Sequence, residues 1–452
     1  MERKLLYMVA GAALIALGIL LPQAWYDALP TLPDAPLPPI KGVHLLQASL
    51  IFEGLVVLWL ASRRWSFVRM EANYLLRPLA DASSAPERSQ VSFWVVAGIT
   101  ALALALRLFR VNSDLWFDEI ATVLDYRQVP LLQVVASYVS ANNHLLNTLL
   151  VKLSIGLFGE EEWAIRLSAV LFGTATIPIM YWLARLVFPV WASASAALLL
   201  AVSYHHIFYS QNARGYAAYL FFSLLATRLL IDAVQHDRLR TWGVYIACMF
   251  LNFAALLNSV FVFVAHVLVG GGAVWAVWRR GASPVPLVRR LVAVFAIAAF
   301  LVFQLYATAL PQAYVTLRMT YVQQTSGYTM SRDLLDELIR GLSAGLGVGL
   351  FLLAVPFLAV AGAGFVLLYR RQWPVALSLS APLFLNAAVL VARKLTISPR
   401  FFLLALPLAI LAVVQSLVSL AEWAGRSAHG PRRSRAMAVS LVVVAASISL
   451  LS

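Results

Sequence analysis

Long apolar runs alternate with short, arginine-bearing breaks from one end of the chain to the other. The runs cover 5–21, 43–62, 91–110, 165–187, 190–208, 215–234, 241–257, 259–278, 291–310, 344–369, 375–392, 401–422 and 436–452. Each approaches the roughly 20 residues that a helix needs to cross a bilayer core of about 30 Å. None alternates with period two over short strands, which argues against a membrane β-barrel. Lipid leaves a spanning backbone no other way to satisfy its polar groups than the helix. The pattern predicts an all-α polytopic membrane protein with about thirteen transmembrane helices and juxtamembrane helices on its outer face.

One run does not fit. Residues 143–158, "NHLLNTLLVKLSIGLF", are short and carry Asn143, His144, Asn147 and Lys152. Counting this stretch as a span reverses every later loop. Arginine placement decides against it. If 143–158 does not cross, the pairs Arg63/Arg64, Arg279/Arg280, Arg289/Arg290, Arg370/Arg371 and Arg432/Arg433 share one side with Arg3 and Lys4. Basic loops collect on the cytoplasmic side, so 143–158 is expected to lie in the outer interface. Segments 111–164, 311–343 and 393–400 and the turn 205–214 then face outward. The expected organisation is a two-span N-terminal unit (1–62), a basic cytoplasmic linker (63–90), a catalytic membrane domain (91–422) and a basic loop with a final span (423–452). The N-terminal run reads as a first span rather than a signal peptide, because no clear cleavage site follows it.

Composition sharpens this in two places. The formal charge of +14 could point to nucleic acid, but the basic residues sit between spans, so no nucleic-acid partner is expected. The single cysteine, Cys248, lies in an apolar run, so there is no disulfide framework.

The outward segments hold the candidate chemistry. "VNSDLWFDEIA" (111–121) places Asp114, Asp118 and Glu119 just beyond a span, where ionisable groups tend to be functional. Helix capping is the plain explanation for Asp114. Asp118 and Glu119, beside Trp116, are candidates for catalysis. Around them the sequence puts Arg166, the turn "SYHHIFYSQNARGYAAY" (203–219) and "RKLTISPRFF" (393–402). Arginine matches phosphate with two hydrogen bonds and lysine acts as a point charge, while a carboxylate takes the proton of an attacking hydroxyl. Snorkelling at the interface is the competing explanation for Arg393, Lys394 and Arg400. Interfacial packing is the competing one for His205 and His206 and for Trp116, Tyr209, Tyr216 and Tyr328. A His/Asp metal site rests on spacing alone.

"LWFDEIAT", the 142–188 stretch and "SYHHIFYSQNARGYAAYLFF" together resemble the core of GT-C membrane glycosyltransferases. The resemblance is to the branch of protein O-mannosyltransferases, the lipid A aminoarabinose transferase and lipopolysaccharide-core sugar transferases. It covers about 91–235, with a fainter similarity at "SPRFFLLALPLAIL", and leaves out the first 90 residues. It implies transfer of a sugar, with inversion, from a polyprenyl-phosphate donor to an envelope lipid, glycan or protein acceptor. The site would face the periplasm or exterior of a bacterial inner membrane. It implies Asp118 as the catalytic acid residue, here a general base, with Glu119 as its partner. Arg166, Arg214, Arg393, Lys394 and Arg400 are expected at the donor phosphate. Trp116, His144, His205, Tyr209, Gln211, Asn212 and Tyr216 are expected at the substrates. Two departures stand out: "HLL" replaces the family's "HPP" after His144, and Asn212 stands where an acid often precedes Ala-Arg. The second leaves a divalent metal open, and no other cofactor is expected. Segment 311–343 reads as a lid. The competing functions are a lipid-linked sugar flippase, disfavoured because polar residues cluster on one face, and a non-catalytic relative. Glu53, inside a span, has no role in this reading.

Overall fold

The computed structural model describes residues 2–22, 41–62, 87–136, 138, 143–316, 351–393 and 399–426. Among these there is no strand. The helices run α1 (Glu2–Leu20), α2 (Gly42–Ser62), α3 (Glu87–Leu108), α4 (Phe117–Tyr126), α5 (Leu131–Ala136), α6 (Leu145–Phe158), α7 (Glu162–Ala184) and α8 (Val190–Val202). They continue with α9 (Tyr204–Ser210), α10 (Tyr216–His236), α11 (Leu239–Ala255), α12 (Ser259–Arg279), α13 (Val285–Ala307), α14 (Phe351–Ala392), a 3₁₀ turn at Pro399–Phe402 and α15 (Ala405–Arg426).

Seven of the described helices are long and apolar enough to cross a membrane, and an eighth if α8 and α9 count as one bent span. The expected runs 5–21, 91–110 and 241–257 are shorter apolar helices. The 190–208 run breaks at Ser203 into α8 and α9, bent by 60°. The 42 residues of α14 would reach about 63 Å as one rod, twice the bilayer core. The helix breaks instead at Gln372 (φ −143°, ψ 61°), directly after Arg370 and Arg371, as two spans require. Residues 317–343 of the expected lid and the last span 436–452 lie outside the described residues.

Helix α10 is the centre of the bundle, with α7, α11 and α12 packed on it. Its polar side chains are matched inside the bundle: Ser223 bonds Asn252, and Thr227 and Tyr245 meet His266 at 3.1 Å each. Hydrogen bonds between helices are how a lipid-embedded bundle accommodates such groups. The N-terminal hairpin packs backbone on backbone: a Cβ on Gly11 would lie 2.9 Å from the Gly54 carbonyl, and one on Gly54 2.6 Å from that of Gly11. This hairpin docks on α13 through Phe52 on Phe300 (5.6 Å) and Glu53, whose carboxylate accepts a hydrogen bond from the Gln304 amide. That contact accounts for the acid inside a span.

Helix α6 is short for a span. Its 14 residues give about 21 Å, and one side of it packs against the first turns of α7. Asn147 meets Ser168 at 3.1 Å, Val151 packs on Ile165, and the Ser154 hydroxyl donates to the Ala164 carbonyl. The chain therefore enters and leaves α6 at the same end of the bundle. That end and the arginine-rich end are separated by the length of α10, whose 21 residues span about 31 Å. It starts beside Arg214 and stops at Asp237, where Trp242 and Arg290 each hydrogen-bond the carboxylate at 3.0 Å.

Candidate active site

Glu119 and Asp118 are adjacent in the first turn of α4, about 100° apart around the helix. One therefore turns inward and the other toward the surface. Glu119 is fully buried and Arg166 nearly so, at 0% and 1% exposure. The Arg166 guanidinium donates to both Glu119 oxygens (3.0 and 2.8 Å) and to the carbonyls of Val111, Ser113 and Asp114 (2.7–2.9 Å). The same carboxylate accepts from the backbone N–H of Trp116 (2.9 Å), capping α4, and of Ala213 (2.6 Å). One buried ion pair thus fixes the turn before Asp118 and ties it to the "NAR" turn before α10.

Asp118 is 39% exposed and ion-paired with Arg214; Arg400 approaches its Oδ2 at 3.7 Å and is itself 40% exposed. Arg214 is buried. Its Nε and Nη2 donate to His144 Nε2 at 3.2 and 3.0 Å, and its guanidinium lies 5.2 Å over the Tyr216 ring. Arg400 lies over Phe401 (5.3 Å). Burial pushes the His144 imidazole down to about 3, with Arg214 adding to the effect, so it is uncharged at neutral pH. Tyr209 packs edge-on against Tyr216 (5.2 Å), and the half-exposed Trp116 against Phe208 (5.7 Å). The cluster is thus one partly exposed carboxylate, one buried guanidinium paired with it and a second, more exposed one.

Several expectations need correction. Arg166 is not placed to bind a phosphate, because its donors are occupied by Glu119 and backbone carbonyls. Glu119 is likewise closed to substrate; it positions Asp118. The cap of α4 comes from Glu119, not from Asp114. Gln211 uses its amide to close the end of α3, donating to the Arg107 carbonyl at 2.9 Å. His205 packs edge-on against Tyr204 (5.7 Å), and none of the described contacts brings it to Asp118, Arg214 or Arg400. Arg393 is exposed at the end of α14. Asn212 is buried beside the site, and its side-chain oxygen has no described partner. Lys394 and Tyr328 lie outside the described residues. Sequence reasoning passed over Gly215 and Arg107. The latter is a fully buried arginine at the end of α3 that bonds the Ala201 carbonyl (3.3 Å) and His206 (2.7 Å); its only signal was a charge closing an apolar run.

A divalent metal does not fit this set. No three His, Cys, Asp or Glu side chains converge among the described residues, and the Asp118 carboxylate is met by guanidinium donors, which repel a cation.

Residues 145–306 match the sequence model of the dolichyl-phosphate-mannose-protein mannosyltransferase family. No curated protein gives a significant match. Among solved structures, the oligosaccharyltransferase AglB of Archaeoglobus fulgidus, in complex with an inhibitory peptide and a dolichol-phosphate, superposes with a TM-score of 0.52. It is 13% identical and the match covers 81% of this chain and 56% of that one. The arabinosyltransferase EmbB of Mycobacterium smegmatis gives 0.50 at 14% identity, covering 84% of this chain and 34% of that one. These likenesses show that the chain has the GT-C fold. A second structure of the Archaeoglobus fulgidus enzyme, in complex with Zn and sulfate, gives 0.50 at 15% identity, covering 79% of this chain and 52% of that one. The chain spans about half the length of the archaeal enzyme and a third of EmbB. The family match begins at the first residue of α6 and ends in α13, so Asp118 and Arg400 flank it in sequence and meet only in the fold.

Proposed function

We propose that the chain is a membrane glycosyltransferase that moves a sugar from a polyprenyl-phosphate donor to a hydroxyl of an envelope lipid, glycan or protein. The observation that carries the reading is the meeting of Asp118, Arg214 and Arg400 at one end of the bundle. The donor tail lies between spans, and its phosphate takes Arg400, the more exposed guanidinium, whose planar donors match two phosphate oxygens. Asp118 accepts the proton of the acceptor hydroxyl. The acceptor oxygen forms its bond to the anomeric carbon on the face opposite the phosphate, and the carbon–phosphate-oxygen bond breaks with inversion. The electron pair leaves on the polyprenyl phosphate, whose growing charge Arg400 offsets.

The site sits about 31 Å along α10 from the Asp237–Arg290 end, where Arg238, Arg240, Arg279, Arg280 and Arg289 also gather. By the positive-inside rule this supports a site facing the periplasm or exterior of a bacterial inner membrane. We keep 91–422 as the catalytic unit and the 1–62 hairpin as an accessory. The one-sided cluster also argues against a transporter, whose polar groups belong near the bilayer midplane. The family description and the dolichol-phosphate bound by AglB agree with this donor class. Deleting the gene and analysing envelope glycans and lipids by mass spectrometry tests the reading. Loss of one sugar from one acceptor is expected; an unchanged envelope contradicts it.

A further inference from the structure

We propose that His144 is the positioning residue of this site: its imidazole aims the Arg214 guanidinium at Asp118, and Gly215 is what allows the imidazole to sit there. The inference rests on the reading of Asp118 as the base. Nε2 of His144 accepts from both Nε and Nη2 of Arg214. Only an unprotonated nitrogen can do so, so the proton of the ring is on Nδ1. That nitrogen faces the Ala255 carbonyl at 3.4 Å, the last residue of α11. Helix ends leave such carbonyls without an intrahelical partner and partially negative, which is the partner that holds a histidine in one tautomer.

The approach of α11 depends on residue 215. A Cβ there would lie 2.0 Å from the Ala255 oxygen and 3.1 Å from His144 Nδ1, so any side chain pushes the carbonyl and the ring away. Tyr216 closes the other side, edge-on to His144 at 5.4 Å and beneath Arg214 at 5.2 Å. An unrestrained arginine samples many rotamers. Here two of its nitrogens are tied back to one ring acceptor and its face is covered, so Nη1 is committed to Asp118. The relay runs from the end of α11, through a neutral imidazole and a fixed guanidinium, to the Asp118 carboxylate. His144 touches neither reacting atom; it acts through Arg214. The charged and titratable groups that face it are Arg214, Arg400 and Tyr216.

Two measurements on the full chain in nanodiscs test this. The first needs no turnover. With ¹⁵N-labelled histidine, the signal missing from His144→Gln identifies His144. It is expected as a neutral Nδ1–H ring from pH 8 to 5, and shifted in Gly215→Ala. A ring that titrates near the ordinary histidine value, or carries its proton on Nε2, overturns the proposal whatever the chain catalyses. The second uses undecaprenyl-phosphate mannose and undecaprenyl-phosphate arabinose as donors. His144→Ala is expected to lower kcat about 10- to 100-fold, with the donor KM within about twofold. His144→Gln, which keeps an acceptor for the guanidinium, is expected to recover most of that loss. Equal losses in the two variants, or a loss confined to KM, contradict positioning. Failure of the wild type to turn over either donor, with the tautomer as expected, counts against the donors and not against the relay.

Discussion

Replacing Arg166 with methionine tests how the site is held. The side chain is 1% exposed and its partner Glu119 fully buried. The substitution removes two hydrogen bonds to the carboxylate and three to the carbonyls of Val111, Ser113 and Asp114. Glu119 is left charged, with only the N–H groups of Trp116 and Ala213 as partners. Breaking a buried ion pair by removing one member costs about 3–5 kcal/mol. At about 1.4 kcal/mol per factor of ten, that corresponds to about two to three and a half powers of ten if it falls on the placement of Asp118. The expected result is a transfer rate lower by at least about 100-fold and a lower melting temperature in detergent. Adding Glu119→Gln removes the stranded charge, so the double variant is expected to regain part of the melting temperature while staying slow. Both can be followed on one preparation, by intrinsic fluorescence on heating and by release of labelled polyprenyl phosphate. Arg166→Met with wild-type rate and melting would refute the claim that this pair holds the turn before Asp118.

Other outcomes follow from the same geometry. Arg400→Ala is expected to raise the donor KM about 10- to 100-fold, the worth of one hydrogen bond to a charged group, with a smaller effect on the acceptor KM. Transfer is expected to continue within about twofold in a chelator, because the cation against Asp118 is a guanidinium; activity that disappears with EDTA and returns with a divalent ion would contradict this. His144 stays neutral in the fold down to about 3 but titrates near 6.5 in an unfolded chain. Below that value only the unfolded state gains the proton, so stability is lost as pH falls from about 6.5 toward 3, by at most about 1.4 kcal/mol per pH unit. His144→Gln should flatten that part of the profile, measured as denaturation midpoint against pH.

The apolar helices were legible because run length is a direct consequence of bilayer thickness, although three of the expected runs form helices short of a span. Helix α6 was legible as a short helix carrying polar residues, set apart from the longer runs. Asp118 stood out because a carboxylate among aromatics just past a span needs a reason. What the sequence hid were pairings over distance. Glu119 and Arg166 are 47 residues apart, and nothing local distinguishes an arginine that binds substrate from one that a buried acid has consumed. Gln211 resembled a substrate ligand for the same reason, since its use as a cap on α3 depends on where α9 turns back. The turn itself follows from Ser203, where an apolar run meets "YHH" and the helix axis bends by 60°. Gly215 was invisible because its role is an absent atom, apparent only once the Ala255 carbonyl is seen against it.

The most direct test of the central claim is single-turnover release of polyprenyl phosphate from a labelled polyprenyl-phosphate sugar by the purified chain, wild type against Asp118→Asn. The substitution keeps the size of the side chain and removes its capacity to take a proton. The expected result is loss of release by about 100-fold or more, within the range that general-base catalysis contributes, with donor binding by Arg400 retained. Release at the wild-type rate from the Asp118→Asn variant would contradict the account.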